Sequence, residues 1–204
     1  KDISMNPYIG QEARDFTAKT VMPDNVIEDE FNLKKYLNGG KGVLFFYPLD
    51  FTFVCPSEII AFNNRIGEFA ARKVKLIGVS IDSHFSHHAW KAMPVNKGGI
   101  GNIQFPLVSD LNKEISRAYN VLNEESVSYR ATFLIDEHFN VRHYVVNDLP
   151  LGRNVDETLR MIDALDHHNE FGEVCPAGWQ KGDQGMKATQ QGVSDYLTSN
   201  AESL

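Results

Sequence analysis

The sequence predicts an α/β fold in which a central mixed β-sheet is flanked by helices and followed by a C-terminal arm. Three observations lead there. Residues 43–47 are a continuous apolar run, the pattern of a strand buried on both faces, residues 74–81 (VKLIGVSI) repeat that signature, and a segment of helical periodicity separates the two. Two β-rich runs at 131–135 and 141–146 flank Asp136-Glu137-His138-Phe139-Asn140, whose Asp and Asn suit a hairpin turn. Beyond Phe171, glycines at 172, 178, 182, 185 and 192 interrupt a polar stretch without a long periodic segment.

Taken in order, the first strand (43–47) lies between Gly39-Gly40 and Pro48 and reads as central. Residues 55–71 follow as one helix starting at or near Cys55, with Pro56 near its start and Ile59, Ile60, Phe62, Ile66, Phe69 and Ala70 at helical spacing. The run at 74–81 is the next strand, completing a βαβ unit. Residues 83–93 form a short helix capped by Asp82 or Ser83 and ended by Pro94. After a glycine-rich stretch, residues 105–109 read as a strand and 110–119 as a helix capped by Asp110. The hairpin then adds antiparallel strands, and a helix over 155–165 presents Val155, Leu159, Ile162 and Leu165 to the sheet. No repeat, low-complexity tract or linker divides residues 1–170, so that segment is expected to be one domain and 171–204 an arm.

With 42% hydrophobic residues, the 204-residue chain can bury a core. Twenty Lys and Arg against 27 Asp and Glu leave a net charge of −7, which offers no field to attract nucleic acid or an anionic membrane. Apolar runs stop far short of the ~20 residues that a membrane helix needs. Residues 1–10 mix charge, Pro and Gly without an apolar stretch, so no signal peptide is legible. Two cysteines are too few for a disulfide scaffold, and a cytoplasmic location is expected.

Cys55 falls where a buried strand passes through Pro48-Leu49-Asp50-Phe51-Thr52-Phe53-Val54 into a helix. In a first helical turn, unpaired N–H groups and the positive end of the helix dipole favour thiolate over thiol, which makes Cys55 a candidate nucleophile. Thr52 can offer its hydroxyl to the sulfur or to a substrate oxygen, and Pro48 and Pro56 stiffen the turn. The same position also suits a buried structural cysteine.

Pro48, Thr52 and Cys55 spell PxxxTxxC, and with FFYPLDFTFVCPSEI (45–59), DSHFSHHAW (82–90), YRATFLID (129–136), DLPLGRNVDE (148–157) and EVCPAGW (173–179) the chain resembles the typical two-cysteine peroxiredoxins. That family includes the peroxide-reducing component of bacterial alkyl hydroperoxide reductase and the thioredoxin peroxidases. The resemblance implies a thioredoxin-like fold and a thiol peroxidase that reduces hydrogen peroxide and organic hydroperoxides without metal, haem, flavin or other cofactor. By the same resemblance Cys55 is the attacking thiolate, Thr52 and Arg130 line the peroxide pocket, Pro48 shields the sulfenic acid, and Glu58 and Arg153 form a charged network behind Arg130. Cys175 is implied as the resolving cysteine, given by the partner subunit of a homodimer, with a ring of dimers (a decamer) as the larger assembly. The electron donor is implied to be thioredoxin or a flavoprotein disulfide reductase. Trp90 and Trp179 would help cover this region, although core packing serves Trp90 as well.

Gly98-Gly99-Ile100-Gly101 and Tyr196 resemble elements of the peroxide-sensitive members, but Leu197 stands where those have Phe. A disulfide oxidoreductase on the same fold needs C-x-x-C, and this helix reads Cys55-Pro56-Ser57-Glu58. A holdase or peroxide-signalling role remains as a rival outside enzymology. His84, His87 and His88 share helical spacing but lack a fixed further ligand, so they are expected to make polar contacts at a subunit surface and not to hold a metal.

Overall fold

The computed structural model describes residues 8–124 and 126–204, so the leader reading over 1–10 falls largely outside the described residues. Its strands are β1 (Thr17–Val21), β2 (Ile27–Asn32), β3 (Lys41–Phe46), β4 (Val74–Ser80), β5 (Leu107–Ser109), a small pair β6 (Leu122–Asn123) and β7 (Val127–Ser128), β8 (Arg130–Ile135) and β9 (Val141–Asn147). Seven of them form one sheet in the order β2-β1-β5-β4-β3-β8-β9. β3 and β4, and β4 and β5, run parallel, while β3 with β8 and β8 with β9 run antiparallel. The expected mixed sheet with helices is therefore present, and the βαβ unit and the hairpin occupy its centre and one edge.

All six residues of β3 are buried, because both faces of the sheet are covered. Leu44 and Phe46 join Ile77, Val79, Val108, Phe133, Leu33 and Tyr119 in one apolar layer. On the opposite face Phe45 stacks on Phe62, with ring centroids 4.4 Å apart. β4 passes so close to this layer that a Cβ at Gly78 would lie 2.9 Å from the Phe45 ring and 3.0 Å from Leu107.

The helices depart from the sequence reading in instructive ways. The segment expected as one helix is two, α2 (Cys55–Asn64) and α3 (Ile66–Ala71), broken at Arg65, where φ is −104° and ψ is 10°. Asn63, Asn64 and Gly67 flank the break, and both residue types hold a helix weakly. α4 (His84–Ala92) is capped by Ser83, whose hydroxyl accepts from the Ser86 N–H. The strand at 105–109 shortens to β5, because Pro106 has no N–H to offer a ladder. α5 (Glu114–Ala118) also starts late: Asp110 caps it from four residues away, accepting from Ile115 N at 2.9 Å and Ser116 N at 2.7 Å.

β1, β2 and the short α1 (Leu33–Leu37) carry no apolar run. In β2 only Phe31 is buried, so the polar edge strand has no periodic signature. The chain forms two compact units, one ending at Val155 and the other spanning Asp156–Leu204. The second is built on α6 (Val155–Phe171), longer than the expected 155–165, and α7 (Gln190–Asn200), a helix inside the stretch read as aperiodic. None of the residues of α7 is buried, which is why no apolar stripe announces it. Among the described residues no helix is long and apolar enough to cross a membrane.

Candidate active site

Cys55 opens α2, with Val54 at the N-cap and Pro56 in the first turn, where a missing N–H costs nothing. Cys55 is fully buried. Two donors converge on Sγ: Thr52 Oγ1 at 3.2 Å and Arg130 Nη1 at 3.3 Å. Thr52 Oγ1 also lies 2.7 Å from the Leu49 carbonyl oxygen. A hydroxyl has one hydrogen, so with it on Leu49 the oxygen can accept from a thiol, and with it turned inward it donates to a thiolate.

Arg130 is the first residue of β8, next to β3, and three contacts hold it: Nη1 donates to Glu58 Oε1 at 2.6 Å, Nε donates to the Leu149 carbonyl at 2.6 Å, and Nη1 faces the sulfur. Burial would lower its tendency to keep a proton, but Cys55 and Glu58 outweigh that and raise it. Glu58 lies one turn beyond Cys55 in α2 and is bracketed by a second guanidinium. Arg153 Nε and N donate to Glu58 Oε2 at 2.7 and 3.0 Å, and Nη2 donates to Oε1 at 3.0 Å. Burial pushes the Glu58 carboxyl up, yet hydrogen bonds and charge from Arg153, with charge from Arg130, hold it below its ordinary value. Arg153 in turn lies over the Phe45 ring at 5.1 Å and donates to the Ala131 carbonyl at 2.8 Å. The fold thus brings Thr52, Arg130, Glu58 and Arg153 to Cys55 from two loops, the start of a strand and a helix. Pro48 is buried at the exit of β3, four residues before Thr52.

Cys175 belongs to the other unit, and both cysteines are free thiols. Val174 and Met186 exchange N–H···O bonds of 2.8 and 3.0 Å, closing a loop around the cysteine. Its Sγ donates weakly to the Ala164 carbonyl at 3.5 Å. Burial and then the Glu173 charge push this thiol up, and Arg160 opposes them. Glu173 is engaged by His167 at 2.9 Å, and the His167 ring packs 4.7 Å from Trp179. Trp179 is buried, accepts from Arg160 through its carbonyl at 3.0 Å and donates from Nε1 to the Asp183 carbonyl at 3.1 Å.

The expectation that His84, His87 and His88 make surface contacts is corrected at His87, which is wholly buried. Its Nδ1 lies 2.7 Å from Asp50 Oδ2 and its Nε2 2.9 Å from the Val108 carbonyl. Buried Asp50 and Tyr47, with half-buried Asp82, complete a polar cluster that the sequence reading missed. One signal was available: His87 shares a helix face with Trp90 and Lys91, the other buried residues of α4. Trp90 is a core residue, donating from Nε1 to the Gly98 carbonyl at 3.0 Å and packing near Tyr47 and Phe51. Gly99 is required there, since a Cβ would fall 2.0 Å from the Met93 carbonyl oxygen. Among the described residues no group of His, Cys, Asp and Glu could hold a metal ion.

Comparison with known proteins matches residues 9–144 to the AhpC/TSA family and residues 164–199, which include Cys175, to the C-terminal domain of 1-Cys peroxiredoxin. Alkyl hydroperoxide reductase C of Helicobacter pylori (strain ATCC 700392 / 26695) is 57% identical over 192 residues, covering 94% of this chain and 97% of that one. Peroxiredoxin-1 of Gekko japonicus is 48% identical over 198 residues, covering 97% of this chain and 98% of its own. The reduced 2-Cys peroxiredoxin of Plasmodium vivax superposes with a TM-score of 0.92 at 51% identity, covering 95% of this chain and 100% of that chain.

Proposed function

The chain belongs to the AhpC/TSA family, and from that premise we propose that Cys55 reduces hydrogen peroxide and organic hydroperoxides and that Cys175 resolves the product. It is a thiol-dependent peroxidase with a thioredoxin-like peroxiredoxin fold. The observation that carries the assignment of Cys55 is the convergence of Thr52 Oγ1 and Arg130 Nη1 on its sulfur.

The thiolate attacks one peroxide oxygen, the O–O bond breaks, and the departing oxygen takes a proton and leaves as water or an alcohol. Charge grows on that leaving oxygen, and fixed donors aimed at the site offset it without reorganisation. Arg130 is such a donor, held by Glu58, which Arg153 holds in turn. Thr52 supplies a second donor, and the Pro48 ring covers the sulfenic acid that forms on Cys55.

Condensation of that acid with the Cys175 thiol of a partner subunit forms a disulfide and releases water. In this reading residues 1–170 make the peroxidase domain and 171–204 the arm that carries the resolving cysteine. A dithiol donor, thioredoxin or a flavoprotein disulfide reductase, then exchanges with the disulfide and restores both thiols. The working unit is a homodimer, assembled into a ring of dimers in the cytoplasm. Non-reducing electrophoresis after one equivalent of peroxide tests the pairing: a covalent dimer is expected, and an oxidised monomer with an internal Cys55–Cys175 bond would overturn it.

A further inference from the structure

The buried cluster beside the Cys55 loop has no part in the chemistry above, yet it grips that loop at one peptide plane. The plane between Leu49 and Asp50 points its N–H at Asp82 Oδ2, 2.6 Å away. Its carbonyl oxygen, on the other side, lies 2.7 Å from Thr52 Oγ1, the atom that stands 3.2 Å from the Cys55 sulfur. The tilt of this one plane therefore decides where the Thr52 hydroxyl sits.

Asp50 is pinned through its side chain as well. Tyr47 donates to Oδ1 at 2.8 Å, and His87 Nδ1 meets Oδ2 at 2.7 Å. The Val108 carbonyl, 2.9 Å from His87 Nε2, can only accept, so that nitrogen carries a hydrogen, and a further proton lies between Nδ1 and Oδ2. Asp82 is steadied by the Ser80 hydroxyl at 3.1 Å. Between the pinned Asp50 and Thr52 stands Phe51, a non-glycine residue at φ +57°, a left-handed conformation that a chain holds only when its surroundings enforce it.

We propose that Asp50, locked by His87, Tyr47 and Asp82, is a positioning residue for the peroxidase reaction: it holds Phe51 in its left-handed conformation and so sets the Thr52 hydroxyl beside the Cys55 sulfur. The inference rests on the functional reading above. It assigns the cluster a mechanical role, exerted through hydrogen-bond geometry and not through the charge of the carboxylate.

A double-mutant cycle tests it. The rate of the peroxide step is measured by competition kinetics for the wild type, Asp50→Ala, Asp50→Asn, Thr52→Val and the Asp50→Ala/Thr52→Val pair. Asp50→Ala is expected to slow the step by roughly 10- to 100-fold, the scale of one misplaced charge-assisted hydrogen bond. Combined with Thr52→Val, it should slow the step little more than the slower single variant, because both act at one atom. Asp50→Asn is expected to stay within about threefold of wild type, since its carbonyl can accept from Tyr47 while its amide donates to a neutral His87. Tyr47→Phe, which keeps the core ring, should fall between the two Asp50 variants.

Losses that multiply in the double variant, or an Asp50→Asn as slow as Asp50→Ala, would overturn the inference. Should Asp50→Ala not fold, Tyr47→Phe with Thr52→Val gives the same cycle. A wild type that consumes peroxide no faster than Cys55→Ser would instead remove the peroxidase reading itself.

Discussion

The two thiols of this chain stand in opposite environments. Cys55 is fully buried at a helix start with a hydroxyl and a guanidinium aimed at its sulfur, while Cys175 is half-buried, offers its hydrogen to a carbonyl 3.5 Å away and sits near a carboxylate that disfavours its ionisation. The first arrangement aims two hydrogen-bond donors at one sulfur, as the proposed attack on peroxide requires. The second disfavours ionisation, which suits the resolving role proposed for Cys175. Cysteine chemistry in this molecule is therefore divided by the neighbours that the fold supplies and not by the residue itself.

The sharpest way to break this comparison is to remove each sulfur. Cys55→Ser should abolish peroxide consumption, whereas Cys175→Ser should consume one equivalent and stall as the sulfenic acid, unless a small thiol rescues it. Equal single-turnover losses in stopped-flow traces would erase the distinction. Next comes Arg130→Ala, expected to slow the peroxide step by roughly 10²- to 10³-fold, as loss of one oxyanion donor does elsewhere. An unchanged rate would take Arg130 out of the site.

Glu58 sharpens the contrast through stability. Truncation to Ala leaves two buried guanidinium groups without their carboxylate and is expected to cost about 3–5 kcal/mol in denaturant unfolding. Since the folded protein holds this carboxyl below its ordinary value of 4.5, its contribution is complete above that pH and fades as pH falls through the folded value. The stability gap between wild type and Glu58→Gln should accordingly narrow on acidification from about pH 6 to about pH 3. A gap that widens would contradict the charge arrangement.

Around Cys175 the effects are smaller. Glu173→Gln, made in Cys55→Ser, should lower the pH of half-maximal alkylation of Cys175 by roughly a few tenths of a unit, as expected for a partly exposed charge. No change would place the shift in burial alone. The smallest effect concerns the end of the chain, where Tyr196 and the exposed Leu197 lie on α7. Deleting residues 194–204 is expected to reduce the sulfinic fraction of Cys55 after turnover at rising peroxide, measured by mass spectrometry. An unchanged fraction would deny the tail any influence on resolution.

Local pattern was enough to read the central strands, the hairpin, the helix cap at Asp82 or Ser83 (Ser83 in the structure) and the start of α2 at Cys55, because each depends on side-chain periodicity or on a residue's own backbone preferences. Cys55, Thr52 and Pro48 could be singled out from the strand-to-helix turn itself, but Arg130, Glu58 and Arg153 were legible only through motif resemblance, since Arg130 lies 75 residues from Cys55 in sequence and no periodicity links them. What the tertiary structure alone decided is where polar groups are hidden. β2 is an acidic edge strand, α7 has no buried residue, and His87 looks like its two neighbours until α4 turns it inward against Asp50. Burial of a polar residue is tolerated only when distant partners satisfy it, and those partners come from strands and loops that the chain brings together on folding. Identity, spacing and periodicity were already present along the chain. Which histidine, aspartate or arginine meets which partner was settled by packing, because hydrogen-bond satisfaction is a property of neighbours in space.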